Sequence, residues 1–89
     1  MVTKQVSPFR NQIFVIHKQL QVLKLREYIY NYLRKIDAVS EEEACAIANL
    51  DAESRLIQTY PFTLNDVRYI NGRLEEIEKL NSEICNIVI

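Results

Sequence analysis

Between Pro8 and Pro61 the chain contains neither glycine nor proline, and only one glycine, Gly72, follows. Hairpin turns, phosphate-cradling loops and dinucleotide fingerprints all need backbone positions with positive φ, which glycine supplies most cheaply. All-β and nucleotide-binding α/β folds are therefore disfavoured before any periodicity is read. What is left is an all-α chain. Its 89 residues form a single helical domain, 1–89, with residues 1–6 as a flexible N-terminus.

Three helices follow from local punctuation. Ser7-Pro8 opens the first: serine is a good N-cap, and proline fits the first helical position because its missing N–H would have had no partner there. The pattern breaks at Asp37-Ala38-Val39, which predicts a helix over about 8–36. Ser40-Glu41-Glu42-Glu43 reads as a capping box, the serine accepting from the backbone of Glu43 while Glu43 reaches back. It opens a shorter helical segment over about 40–59, with a possible break at Asn49-Leu50-Asp51 and an end at Tyr60-Pro61. Thr63 with Asp66 three residues later repeats the box, and Phe62 can staple onto Val67, so a third helix spans about 63–87. Gly72 lies within it at a cost of about 1 kcal/mol relative to alanine.

The apolar pattern adds tertiary content. In the third helix Val67, Ile70, Leu74, Ile77, Asn81, Ile84 and Val88 recur at 3-4 spacing, with Asn81 in a core-type slot that either fixes a register or reaches solvent. The first helix has two stripes. Phe9, Ile13, Ile16, Leu20, Leu23 and Tyr30 line one side; Phe14, Val15, Val22, Leu25, Ile29, Tyr32, Leu33 and Ile36 line the side roughly opposite. A surface helix normally has one. One neighbour cannot cover both. The expected architecture is an antiparallel hairpin of the two long helices with the short segment packed across it, a small bundle that dimerises along a seam of Ile13, Ile16, Leu20, Leu23, Leu74, Ile77, Asn81 and Ile84. A small domain with a thin core commonly gains stability through such association. Arg10, His17, Lys24 and Lys35 are expected to flank the hairpin and pair with Glu75, Glu76, Glu78 and Glu83.

Charge is partitioned although the net is −1. Residues 1–36 carry seven basic side chains against Glu27 alone; residues 37–53 carry Asp37, Glu41, Glu42, Glu43, Asp51 and Glu53 with no base. Those six acids are the predicted partner-binding surface for another protein. Three sit at a helix N-terminus, where the dipole favours anions and capping alone would explain them.

Chemistry is hard to build here. His17 is the only histidine, and Cys45 and Cys85 lie far apart among small or apolar neighbours, as core residues would. No metal, cofactor or catalytic residue is predicted, and the chain reads as a non-enzymatic interaction or regulatory module, the expected partners being another protein and a second copy. The alternative is a nucleic-acid-binding regulator. Ser40, Glu43, Cys45, Asn49, Leu50, Asp51 and Ser54 fit a helix-turn-helix over 40–59, and the basic first helix with its interleaved aromatics could grip phosphates. Five acids against Arg55 in residues 40–58 argue against the first. No apolar run could span a membrane, and MVTKQVSPFRNQ lacks a signal-peptide core, so a cytoplasmic location is expected.

Overall fold

The computed structural model of the chain describes residues 8–88, and the expected flexible N-terminus at 1–6 lies outside them. The described residues are all-helical: α1 spans Pro8–Arg34, α2 Glu41–Ala48 and α3 Leu64–Val88. At 1.5 Å per residue the two long helices are each about 40 Å in length.

Helix ends follow the capping chemistry. At α2, Ser40 Oγ accepts from the Glu43 N–H at 3.1 Å and the Ser40 N–H donates to Glu43 Oε1 at 3.0 Å. At α3, Thr63 Oγ1 accepts from the Asp66 N–H at 3.2 Å and the Thr63 N–H donates to Asp66 Oδ2 at 2.9 Å. Both boxes satisfy amide groups that the first turn leaves without partners. α3 continues unbroken through Gly72. α1 ends at Arg34, two residues before the expected Ile36, because its last turn tightens: the Lys35 and Ile36 amides donate to carbonyls three residues back, Tyr32 and Leu33.

The largest departure from expectation is in residues 49–63. The helical segment anticipated over 40–59 stops at Ala48, at the break expected at Asn49-Leu50-Asp51, but no second helix follows it. Asn49 turns its side chain back, Nδ2 donating to the Cys45 carbonyl at 2.8 Å. Arg26 of α1 then takes the carbonyls of Ala48 and Leu50 with one nitrogen, Nη1, at 2.9 and 2.8 Å. Further along, Asn71 of α3 brackets Leu56: its Oδ1 accepts from the Leu56 N–H at 2.7 Å and its Nδ2 donates to the Leu56 carbonyl at 3.0 Å. Side chains of the long helices thus supply the backbone partners that a continued helix would have supplied itself.

The core forms where these elements meet. Ile29 and Leu33 of α1 and Ile70, Leu74 and Ile77 of α3 are fully buried, joined by Val39, Ala44, Ala48 and Ala52. Each large aliphatic contributes about 1.5–3 kcal/mol by leaving water. The alanines let α2 and the segment after it approach closely. Beside this core Tyr32 and Tyr69 stack with ring centres 4.2 Å apart, the Arg73 guanidinium lies 5.3 Å from the Tyr69 ring centre, and the Tyr32 hydroxyl donates to Asp66 Oδ1 at 2.7 Å. Nearer the middle of α1, Lys18 Nζ meets Glu83 Oε1 at 2.8 Å. Low numbers on α1 therefore meet high numbers on α3. α2 meets the C-terminal half of α1 through Arg26 and Tyr30, and Ala52 borders α3 near Glu78 and Asn81.

The expected ion pairs are redistributed. Glu83 pairs with Lys18, Glu78 with Arg55 and Glu76 with Arg73, none with Arg10, His17, Lys24 or Lys35. Those four fall on a line that passes beside α3, whereas Lys18 lies on the face turned toward it.

Candidate interaction surface

The uncovered surface begins with α1. At about 100° per residue Leu20 lies about 180° around the helix from buried Ile29. Along that outward side Phe9 is 71 % exposed, Ile13 39 %, Ile16 54 %, Leu20 55 % and Leu23 62 %. The opposite stripe is covered only beyond its first residue: Phe14 is 51 % exposed, whereas Val15, Val22 and Leu25 are half-buried and Ile29 and Leu33 fully so. α3 covers one side of the helix, and α2 reaches Tyr30, whose hydroxyl lies 3.4 Å from Glu41 Oε2. Nothing among the described residues covers the side carrying residues 9–23.

The eight residues of the expected seam are therefore not one surface. Ile13, Ile16, Leu20 and Leu23 are exposed together on α1. Leu74 and Ile77 are buried within the chain against α1. Asn81 is exposed and Ile84 half-buried on α3, where with Gln19, Val22, Leu23 and Cys85 they line an open groove of about 500 Å³ between the long helices. The exposure of Asn81 takes it out of the interior slot that its heptad position offered.

All six predicted acids are solvent-exposed. They are not equivalent. Glu43 is engaged in the α2 capping box and Glu41 faces Tyr30, whereas none of the six belongs to an ion pair among the described residues. Asp51 and Glu53 stand at one rim of a second open groove, about 520 Å³, whose other side is Glu78, Asn81, Ser82, Cys85 and Asn86 of α3.

Several other expectations change. Cys45 and Cys85 are exposed thiols and not core residues: on α2 it is Ala44 and Ala48 that point inward, and Cys45 lies one helical step away from Ala44. The helix-turn-helix layout over 40–59 lacks its second helix, so Asp51 and Ser54 cap nothing. Of the basic residues on α1, Lys18 and Arg26 are committed to Glu83 and to the end of α2. His17 is exposed. No group of three His, Cys, Asp or Glu side chains with metal-holding geometry occurs among the described residues, and none of their helices is long and apolar enough to cross a membrane.

Three groups have shifted protonation. The hydrogen bond to Asp66 and burial push the Tyr32 hydroxyl up to about 12. Bonds from the Thr63 backbone and the Tyr32 hydroxyl hold Asp66 below its ordinary carboxylate value, and the hydrogen bond from Lys18 does the same for Glu83. All three lie in contacts that stitch α1 to α3, and Glu83 also borders an open groove of about 460 Å³ that it shares with Lys24, Leu25, Tyr28, Glu76 and Leu80. Sequence reasoning missed this network because Tyr32 and Asp66 are 34 residues apart. No family model matches the chain, and no curated protein or solved structure matches it.

Proposed function

We propose that this chain is a non-enzymatic helical interaction module of the cytoplasm, an antiparallel hairpin of α1 and α3 braced by α2, which acts as a homodimer and binds another protein through the acidic surface of Asp37, Glu41, Glu42, Glu43, Asp51 and Glu53. The observation that carries this is the apolar row on α1. Monomeric soluble proteins rarely leave a contiguous apolar patch of this kind in water, and where one occurs it marks an interaction site. The acids support the second half of the proposal. Six exposed carboxylates without ion-pair partners among the described residues raise a negative potential that steers a basic protein surface toward it.

Nucleic acid ranks second as a partner. The acidic segment would repel phosphates, and α1 retains Arg10, Lys24 and Arg34 as exposed cations, with Lys35 just after its end.

The acidic surface is tested by charge reversal. Glu42→Lys with Glu53→Lys leaves both capping boxes untouched, unlike any change at Glu43. Immobilised wild-type chain retains a specific protein from lysate of its native cell, identified by mass spectrometry, and the double variant loses most of it while keeping the wild-type far-UV spectrum. Equal retention by both would remove the acidic surface from the proposal. Retention of nucleic acid instead, falling steeply with salt, would favour the second partner class.

A further inference from the structure

We infer that the outward face of α1 is a seam for the same face of a second copy, with the two α1 helices running parallel about a two-fold axis. This rests on the homodimer proposed above and specifies its residues and direction. Phe9, Ile13, Ile16, Leu20 and Leu23 are spaced 4-3-4-3, the alternation by which one helix seats its side chains between those of another. Their exposures amount to roughly 600 Å² of apolar surface, against about 800 Å² per partner in a standard stable interface. The polar residues flanking the row supply the remainder. Leu74 and Ile77 take no part, because they are already buried inside the chain.

The flanks select the occupant and its direction. One edge of the row carries Arg10, His17 and Lys24; the other carries Gln12 and Gln19, all exposed. An acidic helix from a different protein would satisfy the first edge and leave the glutamines facing no charge. In an antiparallel pair of copies the basic edges meet, placing Arg10 of each beside Lys24 of the other. In a parallel pair each basic edge meets a glutamine edge, Gln12 beside His17 and Gln19 beside Lys24, without contact between like charges. Glu27 is the next position in the series and ends the seam: two carboxylates would face each other there, just before α1 engages α2 through Tyr30.

The test uses the whole chain with the exposed thiols removed by Cys45→Ser and Cys85→Ser. Single cysteines are then introduced as Phe9→Cys, Leu23→Cys or, as a control on the exposed start of α3, Asn65→Cys. A parallel seam brings each d-type cysteine within disulfide reach of its own counterpart, so Phe9→Cys and Leu23→Cys each give a covalent dimer on mild oxidation and Asn65→Cys does not. Leu20→Glu converts dimer to monomer with an unchanged far-UV spectrum, since Leu20 is exposed within one chain. If only a mixture of Phe9→Cys and Leu23→Cys chains links, the direction is wrong and the homodimer stands. A dimer that links at neither site, or that survives Leu20→Glu, overturns this seam. A chain that sediments as a monomer at high micromolar concentration overturns the homodimer itself.

Discussion

Replacing Arg26 with methionine isolates the contact that decides where α2 ends. Methionine keeps most of the apolar stem and removes only the guanidinium, which donates from Nη1 to the carbonyls of Ala48 and Leu50 at 2.9 and 2.8 Å. A hydrogen bond to a charged group contributes about 1.5–3 kcal/mol, and two carbonyls share this donor. Arg26 is only half-buried, so water recovers part of the loss and the expected cost is about 2 kcal/mol. Eight residues cannot sustain a helix alone in water, so α2 depends on such ties. For a domain of about 90 residues this loss lowers the melting temperature by about 8–16 °C. The assay is thermal and urea unfolding followed by far-UV circular dichroism at matched concentration, with Lys24→Met as a control on an exposed cation two residues away. Hydrogen exchange adds spatial resolution: the Asn49 and Leu50 amides, bonded to Cys45, Ala46 and Ile47 carbonyls, should lose protection before those of α3. Should Arg26→Met and Lys24→Met unfold within 0.5 kcal/mol of each other, as surface changes usually do, the guanidinium does not hold α2 in place.

Two further changes probe the α1–α3 stem. Gly72→Ala should stabilise the chain by about 0.5–1 kcal/mol in urea unfolding, because an added Cβ meets nothing within 4 Å and the helix gains alanine's propensity; a loss of stability would show that the position is packed. Tyr32→Phe keeps a ring to stack on Tyr69 and removes the bond to Asp66, and it should cost about 1.5 kcal/mol at neutral pH. Asp66, held below its ordinary value, contributes stability above that value and loses it as pH falls through its folded pKa; the Tyr32 hydroxyl, raised to about 12, contributes below its ordinary 10.0 and loses it as pH rises through about 12. The gap between wild type and variant should therefore close at both pH extremes, and a gap that does not change with pH would contradict the assigned bond.

Local chemistry made the helix starts legible. Ser40 with Glu43 and Thr63 with Asp66 act within four residues, so no tertiary knowledge is needed to place α2 and α3. The double stripe on α1 was equally readable, being a property of one helix. The break at Asn49-Leu50-Asp51 was readable too; what could not be read is that no helix resumes before residue 59. No proline or glycine forces it; Arg26 and Asn71 impose it from 15 to 24 residues away. The seam failed as a set for the same reason. Periodicity shows that Leu74 and Leu20 are both core-like, and only packing shows that one is spent inside the chain while the other faces water. Exposure of the two cysteines likewise depends on which side of α2 and α3 meets α1.

α1 needs a neighbour on its outward side that the described residues do not provide. Sedimentation equilibrium of the wild-type chain from low to high micromolar concentration addresses it directly. A homodimer gives a mass approaching twice 10.5 kDa, falling to 10.5 kDa for Leu20→Glu. A wild-type mass of 10.5 kDa across the whole range would show that water alone can bathe that face and that α1 needs no second copy.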